Sequence, residues 1–172
     1  VAMLFTIGHS THTLEEFVAL LRQHAVDLLV DIRTVPRSRT NPQYNLDSLP
    51  GSLAAQGIGH EYLASLGGLR KGVPDSPNGA WRNKSFKAYA DHMLSAEFAE
   101  GIEELTARTQ QHTVAIMCAE AVWWRCHRSL VAEAMLVRGH EVSHIMPDGR
   151  ATPATLRDFA VVDGTTITYP ET

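Results

Sequence analysis

Leu14, Phe17, Val18 and Leu21 fall at i, i+3, i+4 and i+7, which is one apolar face of a helix. Thr13 and Glu16 stand at capping-box spacing and mark where that helix begins. The segment before it, MLFTIG, reads as a strand and a turn. The segment after it, Leu28-Leu29-Val30-Asp31-Ile32, is apolar without alternation until its end. A run of that kind suits a strand covered on both faces, as in a parallel sheet.

The same alternation returns later in the chain. A helix is predicted from about Leu94 to Arg108 with Phe98, Ile102 and Leu105 inward, followed by a strand over TVAIMC. A further helix runs from about Cys126 to Arg138, stopped by Gly139, and leads into the strand EVSHIM. Between the halves lie a short helix near Ser48 to Gln56, a short strand near His60 to Leu63, and a long connection from Leu66 to Ser85. Repeated strand-helix-strand units imply an α/β fold, a mainly parallel open sheet with helices on both faces. The tail, Asp148 to Thr172, is expected to add a turn, a helix fragment and a strand or hairpin over VVDGTTITY. No repeat, low-complexity tract or linker divides the chain, so residues 1–172 read as one domain, with a core over about 5–146 and an extension over 147–172.

Composition narrows the functional classes. With 172 residues and 44% hydrophobic content the chain can bury a substantial core. A net charge of −4 argues against a broad basic field for nucleic acid, though not against a small basic pocket. Two cysteines cannot build a disulfide framework, and no secretory signal or membrane-spanning apolar run is evident, so a cytoplasmic protein with no membrane partner is expected.

Three chemically loaded stretches, GHST (8–11), DIRTVPRSR (31–39) and CAEAVWWRCHR (118–128), each begin where a predicted strand stops. In an open parallel sheet the carboxyl ends of the strands share one edge, the usual place for a ligand. If these strands are neighbours, the three stretches face one cleft. Asp31 and Arg33 point the same way on their strand, either as a structural ion pair or as part of a binding site. Arg33, Arg37 and Arg39 together offer a fork for phosphate or carboxylate, against the alternative that the loop arginines are merely solvated. His9, after Gly8, is a candidate acid, base or anion ligand, or a turn cap.

Cys118 ends an apolar strand, where a small buried side chain is the ordinary reading. Cys126 lies near a helix start beside His127 and Arg128, which favour its thiolate, whereas Glu120 disfavours that of Cys118. Glu120 reads as an acid or base, or as a partner for Arg125 or Arg128. A strand ending in cysteine, then a loop and arginine, partly resembles the cradle of cysteine-dependent phosphatases. Six residues rather than five separate Cys118 from Arg125, and the loop holds two tryptophans and no glycine, which works against a tight amide nest. The C-x7-C-H spacing matches no common zinc pattern, so no metal is assigned. A redox pair of Cys118 with Cys126 lacks the C-x-x-C arrangement, and their separation in space decides it. Of Trp123 and Trp124, one is expected to pack inward while the other walls the cleft, offering a flat face to a base or sugar, with a dimer contact or plain packing as the alternatives.

The segments TIGHST, LLVDIRTVPRSR, LGGLR, SFKAYADHM and MCAEAVWWRCHR followed by HI resemble the domain of unknown function family numbered 488, over about Phe5 to Met146. The resemblance implies an α/β domain and a defining polar set of His9, Asp31, Arg33, Pro36, Arg37, Cys118, Glu120, Cys126, His127 and Arg128. It implies no activity.

These readings lead to an anionic, phosphate-bearing ligand, a nucleotide or nucleic-acid component, held by Arg33, Arg37, Arg125 and Arg128 with Asp31 and Trp124 beside it. Glu120, His9 or His127 would move protons and a cysteine would supply any nucleophile, in hydrolase, transferase, phosphatase or sulfurtransferase chemistry. The competing class is a module that binds nucleic acid or protein without turnover. A third reading is a structural network tying the strand ends together. Neither a cofactor nor an oligomeric state follows from the sequence.

Overall fold

The computed structural model describes residues 3–171. Strand β1 (Met3–Gly8) leads to α1 (Leu14–Gln23), where the capping box forms: Glu16 N–H donates to Thr13 Oγ1 at 3.1 Å and Thr13 N–H to Glu16 Oε1 at 2.8 Å. Phe17, Val18 and Leu21 are buried, each contributing about 1.5–3 kcal/mol. Then follow β2 (Leu28–Asp31), α2 (Leu49–Ala54), β3 (Gly59–Tyr62), α3 (Lys84–His92), α4 (Ala96–Thr109), β4 (Val114–Cys118), α5 (Arg128–Val137) and β5 (Glu141–Ile145). The tail supplies β6 (Ala151–Pro153), β7 (Val161–Asp163) and β8 (Thr166–Thr168).

The main sheet runs β3-β2-β4-β1-β5-β6, parallel except that β6 pairs antiparallel with β5. Alternate side chains feed two cores. Phe5, Ile7, Leu29, Ala115 and Met117 face α1 and α2, while Leu4, Leu28, Val30, Val114 and Ile116 face α3, α4 and α5. Helices therefore cover both faces. The chain moves outward from β1 to β2 and β3 on one face and returns to β4 and β5 on the other, so the connections after β1 and β4, which are neighbours, turn to opposite faces. A crevice opens at such a switch in direction.

Several local expectations are corrected. Helix α5 begins at Arg128 rather than Cys126, because Trp123–Arg125 form a 3₁₀ turn that delays it. Helix α3 was not anticipated by periodicity; it starts at Asn83, whose side chain accepts from Ser85 and Phe86 N–H. The tail forms the predicted hairpin, β7 with β8, and adds the edge strand β6, but its described residues contain no helix.

The connection from 66 to 85 is held down. Asp91 accepts from Val73 N–H at 3.1 Å, from the Ser76 hydroxyl, and from Asn78 Nδ2 at 2.8 Å. Asn78, fully buried, in turn accepts from Tyr169 N–H at 2.9 Å. Glu133 on α5, also buried, accepts from the Tyr169 hydroxyl at 2.6 Å and from Arg157 Nη1 at 2.9 Å, and Arg157 lies over the Trp81 ring. The tail thus closes over α5 and the long connection through paired polar groups.

Candidate functional site

Neighbouring strands β2, β4 and β1 bring the three loaded stretches to one edge: Gly8 lies opposite Cys118 and Asp31 opposite Met117. The ladder continues past the strand ends, with His9 N–H donating to Cys118 O and Ser10 N–H to Ala119 O, both at 2.9 Å. Gly8 is required there for a specific reason. A Cβ on it would stand 1.6 Å from Glu120 O, so the backbone after Cys118 can cross β1 only over a glycine.

A cleft of about 290 Å³ opens at this edge. Arg33 and Thr34 after β2, Cys118, Ala119 and Glu120 at the end of β4, Arg125, Cys126 and His127 before α5, and Gly68, Leu69, Ser85 and Phe86 from the long connection and α3 line it. The sulfurs of Cys118 and Cys126 are joined as a disulfide across a sequence separation of 8, because the loop between them folds back on itself. Cys118 and Cys126, whose separation the spacing left open, are therefore in contact, and neither is a free cysteine.

Arg128 organises the loop between them. Its guanidinium is 1% exposed and donates through Nη1 to Cys118 Sγ and to Glu120 O, both at 2.7 Å, through Nη2 to Ala121 O at 3.3 Å and through Nε to Thr6 Oγ1 at 3.2 Å. Thr6 Oγ1, receiving that proton, donates its own to His144 Nδ1 at 2.6 Å, and the His144 ring stacks on Trp123 with centroids 4.8 Å apart. Burial lowers the Arg128 pKa to about 10, which leaves it charged at neutral pH. The cation assigned from sequence to an external anion is directed inward onto Cys118.

His127 lies beside Cys126, its Nδ1 3.6 Å from that sulfur, while its Nε2 donates to Ile32 O at 2.8 Å. Burial, against the hydrogen bond to Ile32 O and helped by the charge of Arg128, lowers its pKa to about 4, so it is neutral and lends Cys126 no positive charge. Gly68 packs on this ring; a Cβ there would meet His127 Nδ1 at 2.5 Å, which gives the LGGLR segment a steric role.

Burial commits two further residues to partners within the protein. Arg33 is 5% exposed, and its guanidinium is committed to Asp31 Oδ1 and Oδ2 at 2.9 and 2.7 Å and to Tyr44 O at 2.6 Å. Asp31, fully buried, also accepts from Arg33 N–H at 3.0 Å, so the pair is an ion pair locking the strand end. His9 is 2% exposed, stacks on Tyr44 at 4.2 Å, and places Nδ1 2.9 Å from Ser10 O and Nε2 3.4 Å from Arg33 Nη1. Burial lowers its pKa too, and both ring nitrogens face protein, so it supports Arg33 rather than meeting a ligand.

Arg37 is exposed but lines a different groove, with Pro36, Asn45, Leu46 and Asp47. Trp123 is the inward partner of His144, and Trp124 is exposed but is not among the residues lining the cleft. Glu120 and Arg125 are exposed, line the cleft, and make no side-chain hydrogen bond or ion pair among the described residues. Thr6, His144, Gly68, Ser85 and Phe86 were missed in the sequence because a hydroxyl inside a strand and a turn glycine carry no separate signal.

Among the described residues no group of three or more His, Cys, Asp or Glu side chains is placed to hold a metal ion, and no helix is long and apolar enough to cross a membrane. No curated protein and no solved structure matches the chain. The model of one family, domain of unknown function DUF488, matches residues 13–135, a span that contains Asp31, Arg33 and the whole segment from Cys118 to Arg128. The chain belongs to the DUF488 family.

Proposed function

We propose that the strand-end cleft binds an anionic, phosphate-bearing ligand, a nucleotide or nucleic-acid component, and acts on it through a cysteine as a hydrolase or transferase. The observation that carries this reading is the pairing of two kinds of charge. A buried guanidinium 2.7 Å from Cys118 Sγ favours the thiolate of the reduced protein, while Arg125 and Glu120 stand exposed and uncommitted in the same cleft. Arg125 then faces the anion, Glu120 exchanges the proton, and Arg33 and Arg128 act indirectly by fixing the walls. The wide, glycine-free loop of residues 119–127 admits a ligand larger than a bare phosphate.

The test is thermal unfolding of the reduced protein with nucleotides, sugar phosphates, sulfate and short oligonucleotides, beside Arg125→Ala. A ligand at a hundred times its Kd adds about 2.7 kcal/mol, which raises Tm by about 5–10 °C in a domain of this size. A shift that Arg125→Ala abolishes supports the reading; a shift that it leaves intact moves the ligand elsewhere.

A second reading, binding without turnover, is favoured by the exposure of Leu69, which lines the cleft, at 74%, and of Val35 and Trp124, next in sequence to the lining residues Thr34 and Arg125, at 60% and 49%. An exposed indole is a stacking face for a base. Binding of an oligonucleotide that survives replacement of both cysteines by serine supports this alternative.

A further inference from the structure

We infer that the cleft also performs dithiol–disulfide exchange, with anionic low-molecular-mass thiols as its substrates, and that the two cysteines divide the work: Cys126 is the sulfur attacked and Cys118 the sulfur that leaves. The inference rests on the cysteine part of the reading above and not on the phosphate ligand.

The sulfurs are bonded to one another at the wall of an open cleft, so the pair is within reach of a thiol entering it. Exchange is fastest when the departing sulfur is the better stabilised thiolate. The two sulfurs differ in this respect. Cys118 Sγ receives a charged donor, Arg128 Nη1, at 2.7 Å, whereas Cys126 Sγ receives only the Arg128 backbone N–H at 3.4 Å and has a neutral imidazole beside it. The guanidinium is itself held from behind by Thr6, so it need not reorganise when charge arrives.

In the first step the thiolate of the substrate attacks Cys126 Sγ, the bond between Cys126 and Cys118 breaks, and its electron pair remains on Cys118 as a thiolate facing Arg128. In the second, the thiolate of another substrate molecule attacks the substrate sulfur of the mixed disulfide, releasing the oxidised substrate and leaving Cys126, which takes a proton from solvent. Two thiols are oxidised to one disulfide, and the protein disulfide is reduced to a dithiol. The pair returns to its oxidised state by the reverse steps with a low-molecular-mass disulfide.

Arg125, one residue before Cys126 and exposed in the cleft, supplies the preference for a negatively charged thiol.

Full-length oxidised protein is mixed with glutathione, which is anionic, or with cysteamine, which is cationic, then quenched with iodoacetamide at intervals and mapped by mass spectrometry. The expected intermediate is glutathione on the peptide that carries Cys126, with reduction faster than for an unstructured peptide disulfide. Cys118→Ser has no internal disulfide and is therefore given oxidised glutathione: its Cys126 thiolate should displace one glutathione thiolate and keep the other half as a stable mixed disulfide, and the wild-type time course gives the assignment if that variant does not fold. Arg125→Ala should narrow the glutathione-to-cysteamine rate ratio by about tenfold. Adducts mainly on Cys118, or a rate no greater than that of the peptide, overturn the inference. Exchange that persists where no phosphate compound raises Tm removes the ligand reading and leaves this one; a Tm shift without exchange does the reverse.

Discussion

Arg128 Nη1 lies 2.7 Å from Cys118 Sγ and equally close to Glu120 O, so one buried guanidinium holds both a reactive sulfur and the loop that leads away from it. Replacing it by methionine removes the charge and strands the acceptors on Thr6, Glu120 and Ala121. The expected cost is about 2–4 kcal/mol, or about 5–15 °C in Tm by calorimetry. In the reduced variant, alkylation of Cys118 by iodoacetamide should move to higher pH, which a purely structural loss would not cause.

Asp31 and Arg33 form a buried pair, and breaking it leaves the arginine unsatisfied. Asp31→Asn is expected to destabilise the protein by about 3–5 kcal/mol, read as a lower urea midpoint with an unchanged slope. Arg33→Ala should be similarly harmful through the stranded carboxylate.

The two crowded glycines should respond differently to alanine. At Gly8 the obstacle is backbone, 1.6 Å away, so Gly8→Ala is expected to prevent native pairing of β1 with the loop after β4 and to yield little folded protein. At Gly68 the obstacle is the ring of His127, a side chain that can shift and whose Nδ1 lies beside Cys126 Sγ. Gly68→Ala should fold, lose about 1–3 kcal/mol, and show altered thiol reactivity at Cys126 in the alkylation profile.

Acid should weaken the fold well before the carboxylates protonate. Burial lowers the pKa of His127 to about 4 and of His144 to about 3, and it lowers those of His9, His60 and His92 in the same direction. In the unfolded chain each imidazole takes a proton near pH 6.5. Between that value and the folded pKa the unfolded state therefore binds more protons, and stability rises with pH. His127 and His144 should each contribute about 1.4 kcal/mol per pH unit between pH 6 and 4, with the full contribution present above pH 7. Urea unfolding at several pH values measures the slope, and His144→Phe should remove the share of that residue.

The strand ends were legible because buried parallel strands are continuous apolar runs, and three such runs stop at polar clusters. The direction of the long side chains was not. Arg128 read as an outward fork, and Arg33 as either that or an ion pair with Asp31, because an arginine after a strand carries no mark of where its guanidinium turns, and only the positions of Tyr44 O, Thr6 and Glu120 O settle that. The proximity of the cysteines was equally hidden: a separation of 8 residues becomes contact only because the 3₁₀ turn at Trp123–Arg125 reverses the loop. Helix α3 escaped notice because its inward positions include Asp91 and His92, polar groups that its neighbours satisfy. Strand β6, three exposed residues long, has no pattern to read.

The docking of Tyr169 and Arg157 on Glu133 separates two boundaries that usually coincide. Similarity to the family ends at residue 135, yet Glu133 inside that span has its hydroxyl and guanidinium partners more than twenty residues beyond it. A chain cut where the similarity stops would keep every cleft residue and lose the groups that neutralise a carboxylate in its own helix. The span that matches the family is therefore shorter than the set of residues that pack together, and Ile167 and Tyr169 of the tail belong to the core.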